Sequence, residues 1–415
     1  MSQGGAVRHT HMDDYLVKEV LVKEAVEGDQ AAFEQLAEPH RRELNVHCYR
    51  MLGSIEDAED AVQETYLRAW ARLASYAGRA PFRAWLYGIA TNACLDMLRR
   101  RKARVWPTDI VGPADPGAEP TSPAEISWLQ PYPDRLLAFP APAEGEPEFA
   151  VAAKETIELA FLAAIQRLPA RQRAVLILRD VLDWSAKDTA VTLETTAAAV
   201  NSALQRAHAG LAAHVPLDRD EWPVRDRATA GAAEKLLLQQ LVEAWERADT
   251  KALVALLRDD ARMVMPPRAT WFAGSAAIGL FLREHVFDVM GHGWRLVPTA
   301  ANRQPAFGLY WRAPDDLELR AFAIGVLTVE DDAITELASV IKSGKRVAFI
   351  PVPRSSEGRT ALRVSGSAHA IARNASEAAD VKLADFVRTA LSLYVRSHAR
   401  EIDKEAKTSS YRSRK

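Results

Sequence analysis

The amino-acid sequence predicts a multidomain protein in which two all-α domains are followed by an α+β domain. Apolar residues recur at helical spacing through residues 29–104 and again through 151–215, which predicts a helical bundle and a helix-turn-helix domain. Prolines concentrate between these segments, at 105–150, and predict a linker. From 233 to 341 helical spacing gives way to strand-like runs, as expected of a separate α+β domain.

Composition limits the kinds of site that the chain can carry. The formal net charge is −2, so any surface for nucleic acid has to be local. Cys48 and Cys94 lie in helical patterns and indicate neither a disulfide framework nor a metal cluster. Residues 1–28 form a polar lead-in without an apolar signal core, and no run of roughly 18 apolar residues occurs. We therefore expect a soluble, cytoplasmic protein with no metal and no cofactor.

Residues 54–104 carry the most distinctive surface of the first domain. Apolar positions from Ile55 to Leu73 predict a helix with one buried face. The charged residues predicted on its outward face are Asp57, Asp60, Glu64 and Arg68. A second helix is predicted from Phe82, and it ends in the cations of Arg99–Arg104, which suit the negative end of a helix dipole.

The loop between these helices, at 75–81, contains Gly78 and Pro81 and cannot continue either helix. Its residues Tyr76 and Arg79, with Phe82, could stack unpaired bases beside a helix end that holds phosphates. The alternative is a helical hairpin with a solvated basic end, because a run of charges usually faces water.

The linker at 105–150 holds ten of the chain's 22 prolines, so neither helix nor sheet is expected there. It also carries large apolar side chains, namely Trp128, Leu129, Tyr132, Leu136, Leu137 and Phe139. This is too apolar for a solvated spacer, and we expect the segment WLQPYPDRLLAF to dock against a domain.

The second helical segment ends in two short helices joined by a tight turn. Ser185 with Asp188 predicts a capped helix that ends near Leu193, and Thr196 is the predicted N-cap of the next. The outward residues of that last helix are Asn201, Ser202, Gln205, Arg206 and His208. Asn, Gln and Arg can address base edges, so the pattern indicates a DNA-reading helix-turn-helix. A generic three-helix core with polar outer residues is the alternative.

The α+β domain follows a polar connection at 216–232. Its predicted helices are 233–246, 251–258 and 275–287, and its predicted strands are 261–265, 294–300, 307–312, 317–329 and 333–341. No chemistry can be assigned to the extension at 342–415.

Two motifs in the first domain resemble region 2 of extracytoplasmic-function (ECF) RNA polymerase sigma factors of the sigma-70 family. They are DAEDAVQETYLRAW at Asp57–Trp70 and FRAWLYGIATNACLDMLRRRKAR at Phe82–Arg104. The resemblance implies that the first helix binds the β′ clamp helices of core RNA polymerase through Asp57, Asp60, Gln63, Glu64 and Arg68. It implies minus-10 promoter contacts by Tyr76, Arg79, Phe82, Trp85, Asn92, Arg99, Arg100, Arg101 and Lys102.

The segment LPARQRAVLILRDVLDWSAKDTAVTLETTAAAVNSALQRAHAGL, at 168–211, is similar to region 4 of the same sigma factors. This similarity implies that the last helix reads the minus-35 element of duplex DNA. The implied reading residues are Thr196, Asn201, Ser202, Gln205 and Arg206. Both regions occur in the expected order across a linker, which is far more specific than either region alone.

The third domain resembles the SnoaL-like cone fold known in polyketide cyclases and, by shape, in ketosteroid isomerase. The likeness is carried by LVEAWERADTKALVALLRDDARMVMPP and TWFAGSAAIGLFL. Together with the WLQPYP motif at Trp128–Pro133, it resembles the SigG-like branch of sigma factors. In such branches the extension is expected to dock on the sigma core and tune its activity.

The sequence therefore predicts a non-enzymatic, DNA-binding sigma factor that directs core polymerase to promoters, with a regulatory SnoaL-like domain. The alternative is a cyclase or isomerase activity, or small-ligand sensing, in the SnoaL-like domain. That alternative assigns acid–base roles to Asp259, Asp260, His285 or His292. The pair Asp259–Asp260 is, however, more typical of a turn between helix and strand. Its predicted pocket is lined by Trp271, Phe272, His285, Trp294 and Tyr310.

Overall fold

The computed structural model describes residues 20–76, 78, 81–100, 104–122, 126–137, 157–212, 231–312 and 318–341. The chain divides into two units, Met1–Pro351 and Val352–Lys415, and every described residue belongs to the first. Predictions for the extension at 342–415, and for most of the lead-in at 1–28 and the connection at 216–232, lie outside the described residues. In the described part, no helix is both long enough and apolar enough to cross a membrane.

The first domain is a helical bundle. It contains α1 (Gln30–Ala37), α2 (Arg41–Leu52), α3 (Ile55–Arg72) and α4 (Phe82–Arg100). Gly53 takes a left-handed conformation, φ +66°, and ends α2. Ser54 then caps α3 by accepting a hydrogen bond from the Asp57 backbone N–H at 3.3 Å. This two-residue junction folds α3 back onto α2, and Leu44, Met51 and Leu86 are fully buried in the resulting core.

The linker docks on this bundle, as predicted. Val105 and Trp128 form an isolated parallel bridge, so the two halves of the linker run side by side. The side chains of Trp106, Trp128, Leu129, Tyr132 and Leu137 are buried. Leu136 is exposed at the end of a short 3-10 turn, Asp134–Leu136, so it does not share in the docking, and Phe139 lies outside the described residues.

The second helical domain has four helices in its described part. They are α5 (Leu159–Gln166), α6 (Ala170–Leu176), α7 (Ala186–Thr192) and α8 (Ala197–Ala212). After α6 the chain continues through a π-helical turn, Ile177–Val181. Glu194, with φ +50°, makes the tight turn between α7 and α8. Apolar residues of α5 and α6, such as Leu162 and Leu176, join the same buried cluster as the first bundle.

The third domain packs helices against one mixed sheet. Its helices are α9 (Ala232–Glu246), α10 (Thr250–Ala255), α11 (Ser275–Phe281) and α12 (Asp288–Met290). Its strands are β1 (Leu257–Val264), β2 (Trp271–Ala273), β3 (Trp294–Ala301), β4 (Gln304–Trp311), β5 (Arg320–Glu330) and β6 (Ala333–Ile341). The strand order is β2-β1-β6-β5-β4-β3, antiparallel throughout except for the parallel pair β1–β6.

The two faces of this sheet belong to different cores. On the inner face, Phe307 and Leu309 of β4 and Leu327 of β5 pack with Trp245 of α9. On the outer face, Ala306, Ile324, Val326, Ala338 and Val340 join the core of the two helical domains and the linker. Alternation of side chains along each strand produces this division. The sheet is therefore buried on both sides, and its outer face holds the third domain against the rest of the unit.

Three details of the third domain differ from the sequence-based expectations. Strand β2 was not predicted, because three residues are too few to show a periodic pattern. The helix predicted at 251–258 ends at Ala255, and Leu257 already belongs to β1. Asp259 and Asp260 consequently lie in a strand, whereas a turn was expected. β1 pairs with β6 at Leu257 and again at 262–264, on either side of these residues, and local sequence spacing cannot predict such long-range pairing.

Candidate nucleic-acid interface

Helix α3 presents a continuous exposed stripe away from the bundle core. Asp60, Gln63 and Leu67 point outward along this stripe, and Leu67 is 67% exposed. Glu64 and Arg68 flank it and are joined by an ion pair at 2.7 Å. Arg68 also contacts Asp96 of α4 at 2.7 Å, which ties the stripe to the neighbouring helix. A cleft of about 300 Å³ opens between α3 and α4 at this point.

Asp57 does not belong to this stripe, so the prediction that it faces outward is wrong. Its side chain is buried beside the linker and forms an ion pair with Arg104 at 2.6 Å. Arg104 also donates a hydrogen bond to the Trp128 carbonyl at 2.8 Å. Arg104 was expected to hold phosphates with the other cations of the α4 end, but these contacts fasten the linker to α3.

Aromatic side chains cluster where the loop enters α4. The ring centroids of Tyr76, Phe82 and Trp85 lie 5.1–5.6 Å from one another, and each side chain is half-exposed. Gly78, with φ +66° and open space where a Cβ would lie, lets the loop turn beside them. Arg79 lies outside the described residues. The cluster offers flat apolar faces to solvent, which suits stacking by unpaired bases.

A buried ionic group lies next to this aromatic cluster, at the start of α4. Glu43 of α2 accepts hydrogen bonds from Arg83 at 2.8 Å and from His40 at 2.5 Å. Burial acts to raise the pKa of Glu43, but the hydrogen bonds from His40 and Arg83 outweigh it and leave that pKa below its usual value. Arg83 is thereby held on α4 next to Phe82, which fixes the start of the helix.

The basic end of α4 is partly described. Arg99 and Arg100 are exposed, and Arg99 pairs with Asp96 at 2.7 Å. Asn92 is half-buried about two turns earlier on the helix. Arg101 and Lys102 lie outside the described residues.

Helix α8 has one buried and one polar side. Val200, Ala207 and Leu211 are buried against the domain core. The residues predicted to read duplex DNA are all exposed, namely Thr196, Asn201, Ser202, Gln205 and Arg206. Thr196 also caps the helix by accepting a hydrogen bond from the Ala199 N–H at 3.1 Å. His208 is drawn back toward Asp180 at 2.5 Å and lies at the edge of this surface.

Two sigma-70 family models match this chain. Sigma-70 region 2 matches residues 36–104, and Sigma-70 region 4 matches residues 158–209. The ECF RNA polymerase sigma factor SigG of Mycobacterium tuberculosis (strain ATCC 25618 / H37Rv) is 39% identical over 320 residues, which cover 77% of this chain and 84% of SigG. The chain belongs to the ECF sigma factors. As a member of this family, the sigma factor binds core RNA polymerase and promoter DNA, and it is a transcription initiation factor rather than an enzyme.

Other comparisons agree with this assignment. The ECF sigma factor SigM of the same strain is 34% identical over 187 residues, which cover 45% of this chain and 79% of SigM. The crystal structure of the M. tuberculosis ECF sigma factor SigJ covers 75% of this chain and 96% of its own, with TM-score 0.50 and 20% identity. The predicted fold class, two all-α sigma domains and an α+β SnoaL-like domain, is confirmed. Below, region 2 denotes α1–α4 and region 4 denotes α5–α8 of this sigma factor.

The residues predicted to line one pocket of the SnoaL-like domain do not share a face of the sheet. Phe272 stacks on Phe281 at 4.4 Å, and Phe281 stacks on His285 at 5.5 Å, all on the inner side. Trp271 is on the outer side, where its indole N–H donates to the Val111 carbonyl of the linker at 2.8 Å. The prediction that Trp271 lines the pocket is therefore wrong, because neighbouring residues of a strand face opposite sides.

Trp294 and Tyr310 are separated in the same way. Trp294 packs on the inner side, with ring centroids 6.4 Å from Trp245 and 5.3 Å from Phe322. Tyr310 lies on the Gly308 side of β4, away from Phe307, so its predicted place in the pocket is also wrong. Trp245 occupies the middle of the inner side and contacts Phe287, Trp294 and Phe307.

Sequence reasoning missed two exposed apolar residues of the sigma factor. Leu67 and Trp70 both stay exposed on α3, and Trp70 packs edge-on to Phe33 of α1 at 5.3 Å. Both are apolar at positions off the buried stripe of α3. That mismatch is the signal that could have identified them, because large exposed apolar residues on a helix often mark a binding surface.

Proposed function

We propose that the exposed α3 stripe of this sigma factor binds the β′ clamp helices of core polymerase. Asp60, Gln63, Glu64 and Arg68 supply polar contacts, and Leu67 supplies an apolar one. This assignment is supported by the position of these side chains along a single exposed face of the helix. Leu67 is the most exposed large apolar residue of α3. An apolar centre surrounded by polar groups is the usual arrangement at a protein interface.

Region 2 then takes up the minus-10 element. Unpaired bases stack on Tyr76, Phe82 and Trp85 and on the Arg79 guanidinium, with Asn92 on the same helix as Trp85. The cations Arg99, Arg100, Arg101 and Lys102 hold the phosphates. The half-exposed aromatic cluster supports this assignment, because a stacked base gains roughly 1–3 kcal/mol on an aromatic side chain.

Region 4 reads the minus-35 element through α8. The observation that carries the proposal is the exposure of all five predicted reading residues on a helix whose other side buries Val200, Ala207 and Leu211. Asn201, Gln205 and Arg206 have side chains that pair with base edges, and Thr196 lies at the helix N-terminus, where phosphates bind. Because the chain carries a formal net charge of −2, its affinity for DNA without polymerase is expected to be weak and salt-dependent.

The SnoaL-like domain regulates this activity from its docked position, and the protein works in the cytoplasm. A second function, ligand binding inside that domain, has one observation in its favour. The indole N–H groups of Trp245 and Trp294 and the Nε2 atom of His285 are buried, and none meets a hydrogen-bond partner in the described part of the chain. A small molecule with acceptor oxygens would satisfy the indoles. Native mass spectrometry of the full-length protein tests this, and a purely apo spectrum argues against a resident ligand.

Transcription with reconstituted holoenzyme tests the main proposal. Promoters are first selected from a random DNA library with wild-type sigma factor and core polymerase. Y76A/W85A should retain core binding and duplex minus-35 recognition but lose strand opening. L67S should instead lose core binding. If L67S binds core as wild type does and Y76A/W85A opens promoters normally, the assigned surfaces are wrong.

A further inference from the structure

The turn between β3 and β4 of the SnoaL-like domain is buried against the linker and the two sigma regions. Its two central residues, Asn302 and Arg303, both take left-handed conformations with φ 56° and 57°. Asn tolerates this conformation better than most residues, and such turns are common in two-residue hairpins. A tight turn of this kind usually lies in solvent. Here Asn302 has no exposed surface.

Asn302 is hydrogen-bonded to three parts of the chain at once. Its side-chain oxygen accepts from the Tyr132 backbone N–H of the linker at 2.7 Å, and its backbone N–H donates to the Tyr132 carbonyl at 2.8 Å. Its amide nitrogen donates to the Tyr49 hydroxyl of region 2 at 3.1 Å. The same nitrogen donates to the carbonyl of Ile157, just before region 4, at 2.7 Å.

Neighbouring contacts extend this junction. The Gln304 side chain accepts from the N–H of Leu159, the first residue of α5, at 2.9 Å. Tyr132 reaches region 2, where its hydroxyl donates to Asn45 at 2.8 Å and its ring lies 4.7 Å from that of Tyr49. One hairpin turn of the SnoaL-like domain thus joins region 2, the linker and the start of region 4.

The arrangement that this junction holds brings region 4 onto the promoter-facing helix of region 2. A Cβ placed on Gly88 of α4 would lie 3.4 Å from the Thr192 methyl at the end of α7. Trp85, Gly88 and Asn92 are three and four residues apart, so they share one face of α4. Thr192 therefore lies on the face that carries two of the predicted minus-10 residues.

This contact is incompatible with simultaneous reading of both promoter elements. The minus-10 and minus-35 elements are named for positions about 25 base pairs apart, which is roughly 85 Å of duplex at 3.4 Å per base pair. Regions 2 and 4 touch in this structure, so they cannot reach both elements without separating. The exposed α3 stripe needs no such rearrangement.

We propose that Asn302 is a latch that keeps the free sigma factor closed, and that core polymerase binds the closed form through α3 before the latch releases. The inference rests on the proposed function and deepens its regulatory part. Release withdraws the β3–β4 turn, frees the linker at Tyr132 and lets region 4 leave α4. Binding to core and opening of the promoter are then separable steps.

A reversible crosslink between regions 2 and 4 tests the closed state. In the G88C/T192C double variant the two sulfurs can form a disulfide, because the Thr192 methyl, 3.4 Å from a Cβ on residue 88, occupies a position that a cysteine sulfur can take. The native Cys48 and Cys94 are buried and form no disulfide. The oxidised variant should bind core polymerase as the reduced variant does, yet open a selected promoter at least about tenfold less, and reduction should restore opening.

Equal promoter opening by the oxidised and reduced forms would overturn the proposal. Loss of core binding on oxidation would also overturn it, since α3 is accessible in the closed form. A wild-type protein that opens no promoter with core would instead contradict the proposed function itself, so the two failures are distinguishable.

Asn302 itself is tested against a matched turn in the same domain. Asp331 and Asp332 form an exposed left-handed turn between β5 and β6, with φ 49° and 58°. N302A and D331A therefore place alanine in the same strained conformation, but N302A alone removes the junction. N302A should open promoters severalfold faster than wild type at equal core occupancy, and D331A should match wild type. Equal rates for all three proteins would exclude Asn302 as the latch.

Discussion

Asp57 and Asp60 are three residues apart on α3 and have opposite environments. Asp57 is buried in an ion pair with Arg104, the residue just before the linker, whereas Asp60 is exposed on the stripe that we propose binds core polymerase. The Asp57 carboxylate therefore contributes to the stability of the fold, whereas the Asp60 carboxylate is available to a binding partner.

We predict that D57N destabilises the protein and D60N does not. Loss of a charge-assisted hydrogen bond in a mostly buried pair should lower the free energy of unfolding by about 1.5–3 kcal/mol. D60N should leave the free energy of unfolding unchanged and weaken core binding. Denaturant titration and core-binding assays on both variants check this. Equal stability of D57N and D60N would contradict the assignment.

His47 predicts a dependence of stability on pH. It is fully buried, and its Nε2 atom lies 2.9 Å from the Thr91 hydroxyl, which itself donates to the Tyr87 carbonyl. This assigns the ring proton to Nε2 and leaves Nδ1 buried without a hydrogen-bond partner among the described residues. Burial, assisted by the nearby charge of Arg50, lowers the pKa of His47 to about 3.

His47 of the unfolded chain therefore binds a proton below about pH 6.5, whereas His47 of the folded protein binds one only near pH 3. The free energy of unfolding should fall as pH drops from 6.5 toward 3, with a slope of up to about 1.4 kcal/mol per pH unit from this group. H47F should reduce that slope between pH 6 and 5. T91V keeps the imidazole and should lower stability without reducing the slope. Parallel slopes for wild type and H47F would show that His47 does not carry the effect.

At the scale of elements, α8 carries a specific prediction about DNA sequence preference. Q205A and R206A should each relax preference at one position of the minus-35 element by about 1–3 kcal/mol, because they remove the base-edge contacts that we propose for these side chains. Preference at the minus-10 element should stay unchanged, since α4 is untouched. Selection of promoters from a random library by each holoenzyme measures this, with Q239A on the exposed side of α9 as control. Unaltered minus-35 preference in both variants would contradict the role of α8.

An element could be predicted from sequence where the local spacing of its apolar residues determines it. Helices α3, α4 and α8 were predicted from their own apolar periodicity and caps, and most of their exposed residues were predicted correctly. Asp57 was misplaced because its partner Arg104 is 47 residues away and approaches only when the linker docks. Trp271 was misplaced because β2 has just three residues and shows no alternation. The gap between the strands predicted at 294–300 and 307–312 implied a connection around Asn302, but nothing local indicated that this connection is a buried turn.

At the scale of the whole molecule, the apolar outer face of the sheet unites the three domains. Val264, Ala306 and Val326 pack in the same core as residues of regions 2 and 4. The SnoaL-like domain is thus part of the sigma structure and has no free sheet surface at these positions. The buried turn between β3 and β4 adds hydrogen bonds to this apolar packing. Because hydrogen bonds are directional, they fix the position of region 2 relative to region 4.

The most direct test of this account is the distance between regions 2 and 4, measured by energy transfer. Fluorophores are attached to the E34C/A209C variant, whose labelled positions are exposed on α1 and α8. Transfer should be efficient in the free protein, stay efficient when core polymerase first binds, and fall sharply when a selected promoter is added, as the regions separate toward roughly 85 Å. Weak transfer in the free protein, or unchanged transfer in a complex that is making RNA, would contradict the account.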